Sequence, residues 1–148
     1  MMRDKLGLFG KTMDDKKLID DLLTCMKKNK ADYTNTFCYL MNISIGNSSL
    51  YDDKEFINWS NNWKNRIFIN DNSKEKSIEL MKKTNPIIIP RNHKVEEALE
   101  ASVFNNDMKP FNKLYSILQN PYHEIVGLES FAEPAPESNI PFRTFCGT

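Results

Sequence analysis

The sequence has no excess of charge of one sign and no long apolar run. Its 20 basic and 20 acidic side chains cancel, so the chain lacks the overall positive field that non-specific nucleic-acid binding uses. Every apolar run is far shorter than the roughly 20 residues that a membrane-spanning helix needs. We therefore expect neither nucleic acid nor a membrane as a partner.

Cysteine and histidine are also scarce. The three cysteines, Cys25, Cys38 and Cys146, form no C-x-x-C pair and are too scattered for a disulfide framework. The N-terminus has no apolar region or cleavage site of a secretory signal, and both features predict a cytoplasmic protein. The histidines are His93 and His123, so a zinc site would have to recruit scattered carboxylates, and no metal site is predicted.

The sequence contains none of the common catalytic motifs. There is no Gly-rich phosphate loop, no H-E-x-x-H and no G-x-S-x-G. These absences leave few routes to acid-base or nucleophilic chemistry. The chain alone is therefore predicted to be inactive and to bind no cofactor, and a small enzyme is the least favoured interpretation.

Helical periodicity dominates what is present. It predicts an all-α fold, an irregular bundle of about five to six helices with an extended proline-containing link and an extended C-terminal tail. The two clearest apolar stripes are Leu18, Leu22, Cys25 and Met26, and Phe56, Trp59, Trp63 and Ile67. A later helix is expected to align Val95, Ala98, Leu99, Ser102 and Val103 on one face, and the last helix is expected to bury Phe111, Leu114, Tyr115 and Leu118.

The stretch "NPIIIPRNH" joins two of these helices. Pro86 and Pro90 fix φ and push the residues before them out of the α region, so "NPIIIP" is predicted to be an extended link. Asn92 is predicted to be the N-cap of the following helix. Arg91 either binds an anion at that helix N-terminus or, as we favour, pairs with local carbonyls or a neighbouring carboxylate. His93 is expected to pair with Glu96 or Glu97 on the helix surface.

The chain divides into a helical domain, 1–126, and a tail, 127–148. The tail carries prolines and no sustained period, while its phenylalanines predict that it packs on the domain or on a neighbour. Together with the isoleucines at 87–89, these phenylalanines supply more apolar surface than so small a domain covers. An exposed apolar patch and self-association are therefore predicted.

Six segments, taken in order, resemble one known family. They are "DKLGL" at 4–8, "DYTNTF" at 32–37, "WSNNWKNR" at 59–66, "NPIIIPRNHKVEEALEA" at 85–101, "NPYHE" at 120–124 and "RTFCGT" at 143–148. In order and spacing they resemble the C-terminal region of the selenoprotein O family, the YdiU-like protein adenylyltransferases.

This resemblance implies a protein roughly three times as long, with a kinase-like fold that transfers AMP from ATP to protein hydroxyls (AMPylation). The resemblance also implies that ATP and Mg²⁺ or Mn²⁺ bind upstream, because no position here matches the family's Lys, Glu, Asp and Asn nucleotide-site motifs. The chain would then be a helical domain that supports the catalytic domain, its partners being that domain and the enzyme's protein substrates.

Three residues receive roles from the resemblance. Cys146 matches the third-last position, where relatives carry selenocysteine or cysteine, and this implies a redox or regulatory role with no partner cysteine assigned. Arg91 and His93 are candidates for contact with the missing catalytic domain. The alternative to this whole interpretation is a freestanding helical protein–protein interaction module, which the neutral charge and the aromatic tail permit.

Overall fold

The computed structural model describes residues 1–43, 45–68, 74–123 and 127–136. Within these ranges the chain forms eight α-helices, one short 3-10 helix and no β-strand, which confirms the all-α prediction. The α-helices are α1 (Met2–Lys5), α2 (Asp15–Lys28), α3 (Tyr33–Leu40), α4 (Lys54–Ile67), α5 (Lys74–Thr84), α6 (Asn92–Phe104), α7 (Lys109–Leu118) and α8 (Glu129–Ala132). The 3-10 helix is Ser49–Asp52.

Helices α2 and α4 pack together and supply the centre of the core. The predicted stripe of α4 is buried, and the parallel rings of Trp59 and Trp63 stack with centroids 6.0 Å apart. Each indole also satisfies its N–H group: Trp59 Nε1 donates to the Leu18 carbonyl at 2.7 Å, and Trp63 Nε1 donates to the Leu6 carbonyl at 2.8 Å. The two tryptophans therefore bury large apolar areas without leaving a polar atom unpaired.

Aspartate side chains begin two of the helices. Asp32 accepts a hydrogen bond from the Asn35 N–H at the start of α3, and Asp53 accepts from the Glu55 N–H at the start of α4. The predicted cap at Asn92 is wrong by one residue. Asn92 is already helical, and Arg91 occupies the extended N-cap position without a capping bond from its side chain.

Helices α1 and α5 meet at Gly7. This residue ends α1 with φ +66°, and a Cβ atom there would lie only 2.6 Å from the Ser77 carbonyl oxygen. Glycine is needed at this point both for the backbone angle and for the close approach. The fully buried Asn85 reinforces the junction because its Nδ2 donates to the Lys5 carbonyl at 2.8 Å.

The proline-containing link is extended, as predicted, and it lies against the end of α7. The N–H groups of Ile87 and Ile88 both donate to the Pro121 carbonyl, at 2.7 and 3.2 Å. Both isoleucine side chains are buried in the core. The expectation that they form part of an exposed apolar patch is therefore wrong, since the link is covered by the rest of this domain.

Helices α6 and α7 form a hairpin in which each packs mainly on the other. Only Ala98 of α6 and Leu114 and Ile117 of α7 are buried. The predicted burial of Phe111 and Tyr115 is wrong, since both side chains are exposed, whereas Leu118 is partly buried against the core. On the face predicted for α6, Leu99 and Val103 are exposed. Val103 is 72% exposed and the neighbouring Phe104 is 81% exposed.

The predicted extended tail contains a helix in the part that the structure describes. Helix α8 lies within 127–136, and its Ala132 joins the core. The remainder of the tail, including Phe142, Phe145 and Cys146, lies outside the described residues. Across the described ranges, we find no helix with the length and apolar character needed to cross a membrane.

Candidate functional site

Arg91 joins three separate parts of the fold. Its Nη1 and Nη2 atoms form a bidentate pair with the Asp32 carboxylate. Nη2 also donates to Asn35 Oδ1 at 3.0 Å and to the Ala132 carbonyl at 2.8 Å. The link before α6 is thereby fastened to the start of α3 and to the end of α8. Of the two roles that the sequence left open for Arg91, pairing with a neighbouring carboxylate is the one observed.

The charge state of Asp32 is fixed by this pair. Burial alone would raise the pKa of Asp32, but the hydrogen bonds from Arg91 and from the Asn35 N–H outweigh it, so the pKa is lowered. The carboxylate is therefore ionised at neutral pH while it also caps α3. Because the Arg91 side chain is only 10% exposed, this is a nearly buried ion pair with planar, two-point geometry.

His93 lies two residues further on and is not part of this cluster. Burial, and then the nearby charges of Lys94 and Arg91, lower the pKa of its imidazole, so it is neutral at pH 7. Among the described residues His93 makes no hydrogen bond to Glu96 or Glu97, and Glu97 pairs with Lys94 at 2.9 Å. The charge of Glu97 offsets only part of the lowering of the His93 pKa. Partly exposed and without a hydrogen-bond partner among the described residues, the ring is available for an external contact.

A second buried ion pair joins α2 to α4. Arg66 Nε donates to Asp15 Oδ1 at 2.7 Å, and Nη2 donates to Oδ2 at 3.2 Å and to the Phe9 carbonyl at 3.1 Å. Burial would raise the pKa of Asp15, but the hydrogen bonds from Arg66 and Thr12 prevail and lower it to about 2. Both side chains are almost fully buried, so the pair holds the first residues of the chain against the tryptophan core.

The two described cysteines are core residues. Cys25 is 5% exposed and Cys38 is 0% exposed. Burial and then the charge of Glu55 raise the pKa of the Cys25 thiol, which disfavours the reactive thiolate. Cys146 lies outside the described residues, so its predicted role stays a prediction.

The described residues do not form a site for Mg²⁺ or Mn²⁺. No group of three or more His, Cys, Asp or Glu side chains within 1–43, 45–68, 74–123 and 127–136 is placed to hold a metal ion. No residue of the described chain is therefore assigned to the metal that the family resemblance implies.

Sequence reasoning singled out Arg91 but missed the partners of both buried arginines. The "DYTNTF" segment carries a local signal for Asp32 as a helix cap, since an aspartate before a helix accepts from its first N–H groups. Nothing in the sequence marks its pairing with an arginine 59 positions away, or that of Asp15 with Arg66 at a separation of 51. Such pairs are set by how the helices pack.

Comparison with known proteins finds relatives that match along the whole chain. The family model for protein adenylyltransferase SelO matches residues 1–119. The protein nucleotidyltransferase YdiU of Pelagibacter ubique (strain HTCC1062) is 51% identical over 148 residues, which is 100% of this chain and 30% of that protein. The proteins of the same name from Bacillus cereus (strain ATCC 14579) and Bacillus anthracis are each 48% identical over 147 residues, 99% of this chain and 30% of theirs.

The chain thus spans about 30% of the length of the curated relatives that it matches. The match to the family model covers α1 to α7 and includes Asp15, Asp32, Arg66 and Arg91. The chain belongs to the protein adenylyltransferase SelO family.

Proposed function

We propose that this chain is the C-terminal helical domain of a longer protein adenylyltransferase, and that it supports a catalytic domain that carries the ATP and metal site. The observation that carries the proposal is the 51% identity along the whole chain to a nucleotidyltransferase of which it covers 30%. The longer protein would transfer AMP from ATP to hydroxyl groups of protein substrates in the cytoplasm.

The contacts of Arg91 favour the proposal that this domain supports the catalytic domain. The Arg91 side chain binds to residues of this domain, and it fixes the link, the start of α3 and the end of α8 relative to one another. His93 stands beside this rigid point and is neutral and partly exposed. We assign His93 as the contact to the catalytic domain and Arg91 as the residue that positions it.

Titration calorimetry with ATP and Mg²⁺ tests where the nucleotide site lies. We expect no heat of binding for this chain alone at micromolar concentrations. Micromolar binding would contradict the proposal that the site is in another part of the protein. The matched experiment uses a protein that joins this chain to an in-frame upstream segment, which should bind ATP.

A freestanding interaction module is the second candidate, and the exposed apolar side chains of α6 and α7 favour it. Reading the genomic DNA upstream of the Met1 codon separates the two candidates. An in-frame kinase-like segment supports the adenylyltransferase domain, whereas a stop codon without such a segment supports the module.

We also propose that Cys146 has a redox or regulatory role in the longer protein. The burial of Cys25 and Cys38 supports this, because it disfavours both of them as the thiol that reacts with an oxidant or a partner thiol. Comparing the transferase activity of the longer protein and its Cys146→Ser variant, with and without reductant, tests the role. A response to reductant that survives the substitution would contradict it.

A further inference from the structure

A cavity of about 280 Å³ lies where α6, α7 and α8 meet. Its lining is Lys94 and Glu97 of α6, Lys109, Pro110 and Lys113 of α7, and Phe131 of α8. Three lysines therefore face one glutamate, in a chain whose charges otherwise cancel. The local excess of positive charge indicates an anionic ligand.

The lysines converge on a single aromatic ring. Lys94 Nζ lies 5.7 Å from the centroid of Phe131 and Lys113 Nζ lies 5.3 Å from it, so two ammonium groups share one ring. Lys94 also pairs with Glu97, whereas neither Lys109 nor Lys113 has a carboxylate partner in the described part of the chain. An exposed cation–π contact is weaker than a charge-assisted hydrogen bond, so an anion with several oxygens would draw the ammonium groups from the ring.

The first turn of α7 lines part of the same cavity. Lys109 and Pro110 begin this ten-residue helix, and the positive end of its dipole favours an anion there. The Lys109 N–H is already bound to the Asp107 carboxylate at 3.0 Å and Pro110 has no N–H, so the lysine side chains, and not backbone N–H groups, are the donors to the ligand. The cavity is near the lower end of the ligand-pocket range, so a phosphate group fits it better than a whole nucleotide.

We infer that this cavity is a phosphate-binding site, in which Lys94, Lys109 and Lys113 together bind the oxygens of one phosphate or pyrophosphate group. The site is separate from the Arg91 cluster, and the inference does not depend on the proposed function.

The test is a titration of the ¹⁵N-labelled chain with inorganic phosphate, with sodium chloride adjusted to hold the ionic strength constant. We expect saturable shifts confined to the amides of residues 94–97 and 109–113, with a dissociation constant in the millimolar range or below. Lys113→Met and Lys109→Met should each weaken binding at least fivefold. Lys27→Met, an equal loss of charge at an exposed position of α2, should change it less than twofold.

Shifts that do not saturate, or equal weakening by Lys27→Met and Lys113→Met, would show only diffuse attraction and would overturn the inference. Unchanged circular dichroism melts confirm that the variants are folded. Pyrophosphate and a phosphoserine peptide, titrated in the same way, identify the source of the phosphate. Tighter binding of pyrophosphate indicates a free ligand, and tighter binding of the peptide indicates a modified side chain.

Discussion

At the scale of single residues, two arginines with buried carboxylate partners fix the geometry of the domain. Removing Arg66 by substitution to Met takes away the main cation partner of the buried Asp15, which among the described residues keeps only Arg3 at 3.7 Å and the hydrogen bonds from Thr12. We expect the free energy of unfolding to fall by about 3 to 5 kcal/mol. Lys17→Met, which removes an exposed i,i+4 pair with Asp21, is the control and should leave the free energy of unfolding almost unchanged. Urea unfolding at pH 7 measures both, and similar losses would contradict the assignment.

The same pair predicts a pH dependence. The pKa of Asp15 is lowered from 3.8 to about 2 in the folded chain, so the unfolded chain binds more protons in this range. The stabilisation from Asp15 is fully present above about pH 4 and is lost as the pH falls through 2. We expect Asp15→Asn to flatten this part of the stability profile, measured by urea unfolding between pH 7 and pH 2. An unchanged slope would show that the carboxylate is not held in the ionised form.

Arg91 should not tolerate lysine, although the charge is kept. A lysine cannot make the two-point contact with Asp32 and also reach Asn35 and Ala132. We expect Arg91→Lys to cost about 2 kcal/mol and to speed amide hydrogen exchange in α8. Arg3→Lys, at a partly exposed position 3.7 Å from Asp15, is the matched control. If α8 exchanges equally in both variants, Arg91 does not anchor it.

The three thiols should differ in reactivity. Cys25 and Cys38 are buried, and the pKa of Cys25 is raised, first by burial. We expect iodoacetamide to label Cys146 first in the native chain, as read by peptide mass spectrometry over time. In urea, which exposes the core, all three should react at similar rates. Early labelling of Cys25 or Cys38 under native conditions would contradict this order.

At the scale of elements, the junction of α1 and α5 depends on Gly7. Gly7→Ala meets both the unfavourable φ of +66° and the Ser77 carbonyl at 2.6 Å, and we expect a loss above about 3 kcal/mol. Gly46 has nearly the same φ, +65°, but among the described residues, its two chain neighbours aside, no atom lies within 4 Å of the position that an alanine methyl group would take. Gly46→Ala should therefore cost only about 1 to 2 kcal/mol. Equal losses in thermal melts would assign the whole effect to backbone strain.

The sequence predicts some elements much better than others. The predicted buried face of α4 is correct because its aromatic side chains lie at three- and four-residue spacing and are too large to leave exposed. The prediction for α7 is correct for Leu114 and wrong for Phe111 and Tyr115, which keep the helical spacing but are exposed. The buried Ile117 was not predicted. Periodicity identifies a helix, but which neighbour covers which face depends on tertiary contacts between distant segments. Of the Arg91 cluster, the sequence predicted Arg91 itself but none of its partners.

At the scale of the whole molecule, the α6–α7 hairpin carries the exposed apolar side chains Leu99, Val103, Phe104, Met108, Phe111 and Tyr115. The predicted self-association should therefore run through the side chains exposed there, of which Val103 and Phe104 are the most accessible. We expect Val103→Ser with Phe104→Ser to lower both the association seen by sedimentation equilibrium and the binding of a hydrophobic dye. Ile57→Ser, at an exposed position of α4, should change neither. A monomer at high concentration without dye binding would contradict the prediction.

The hydrogen bonds to Pro121 hold together the two ends of the α6–α7 hairpin segment. After Ile88 the chain continues into α6 and α7, and at Pro121 it returns to within hydrogen-bond distance, 2.7 Å, of the Ile87 N–H. The two ends of the hairpin segment therefore lie next to each other, as the ends of a segment inserted into a loop do. Its outer turn can be lengthened or exchanged without rerouting any other connection, provided that Ile117 still reaches the core.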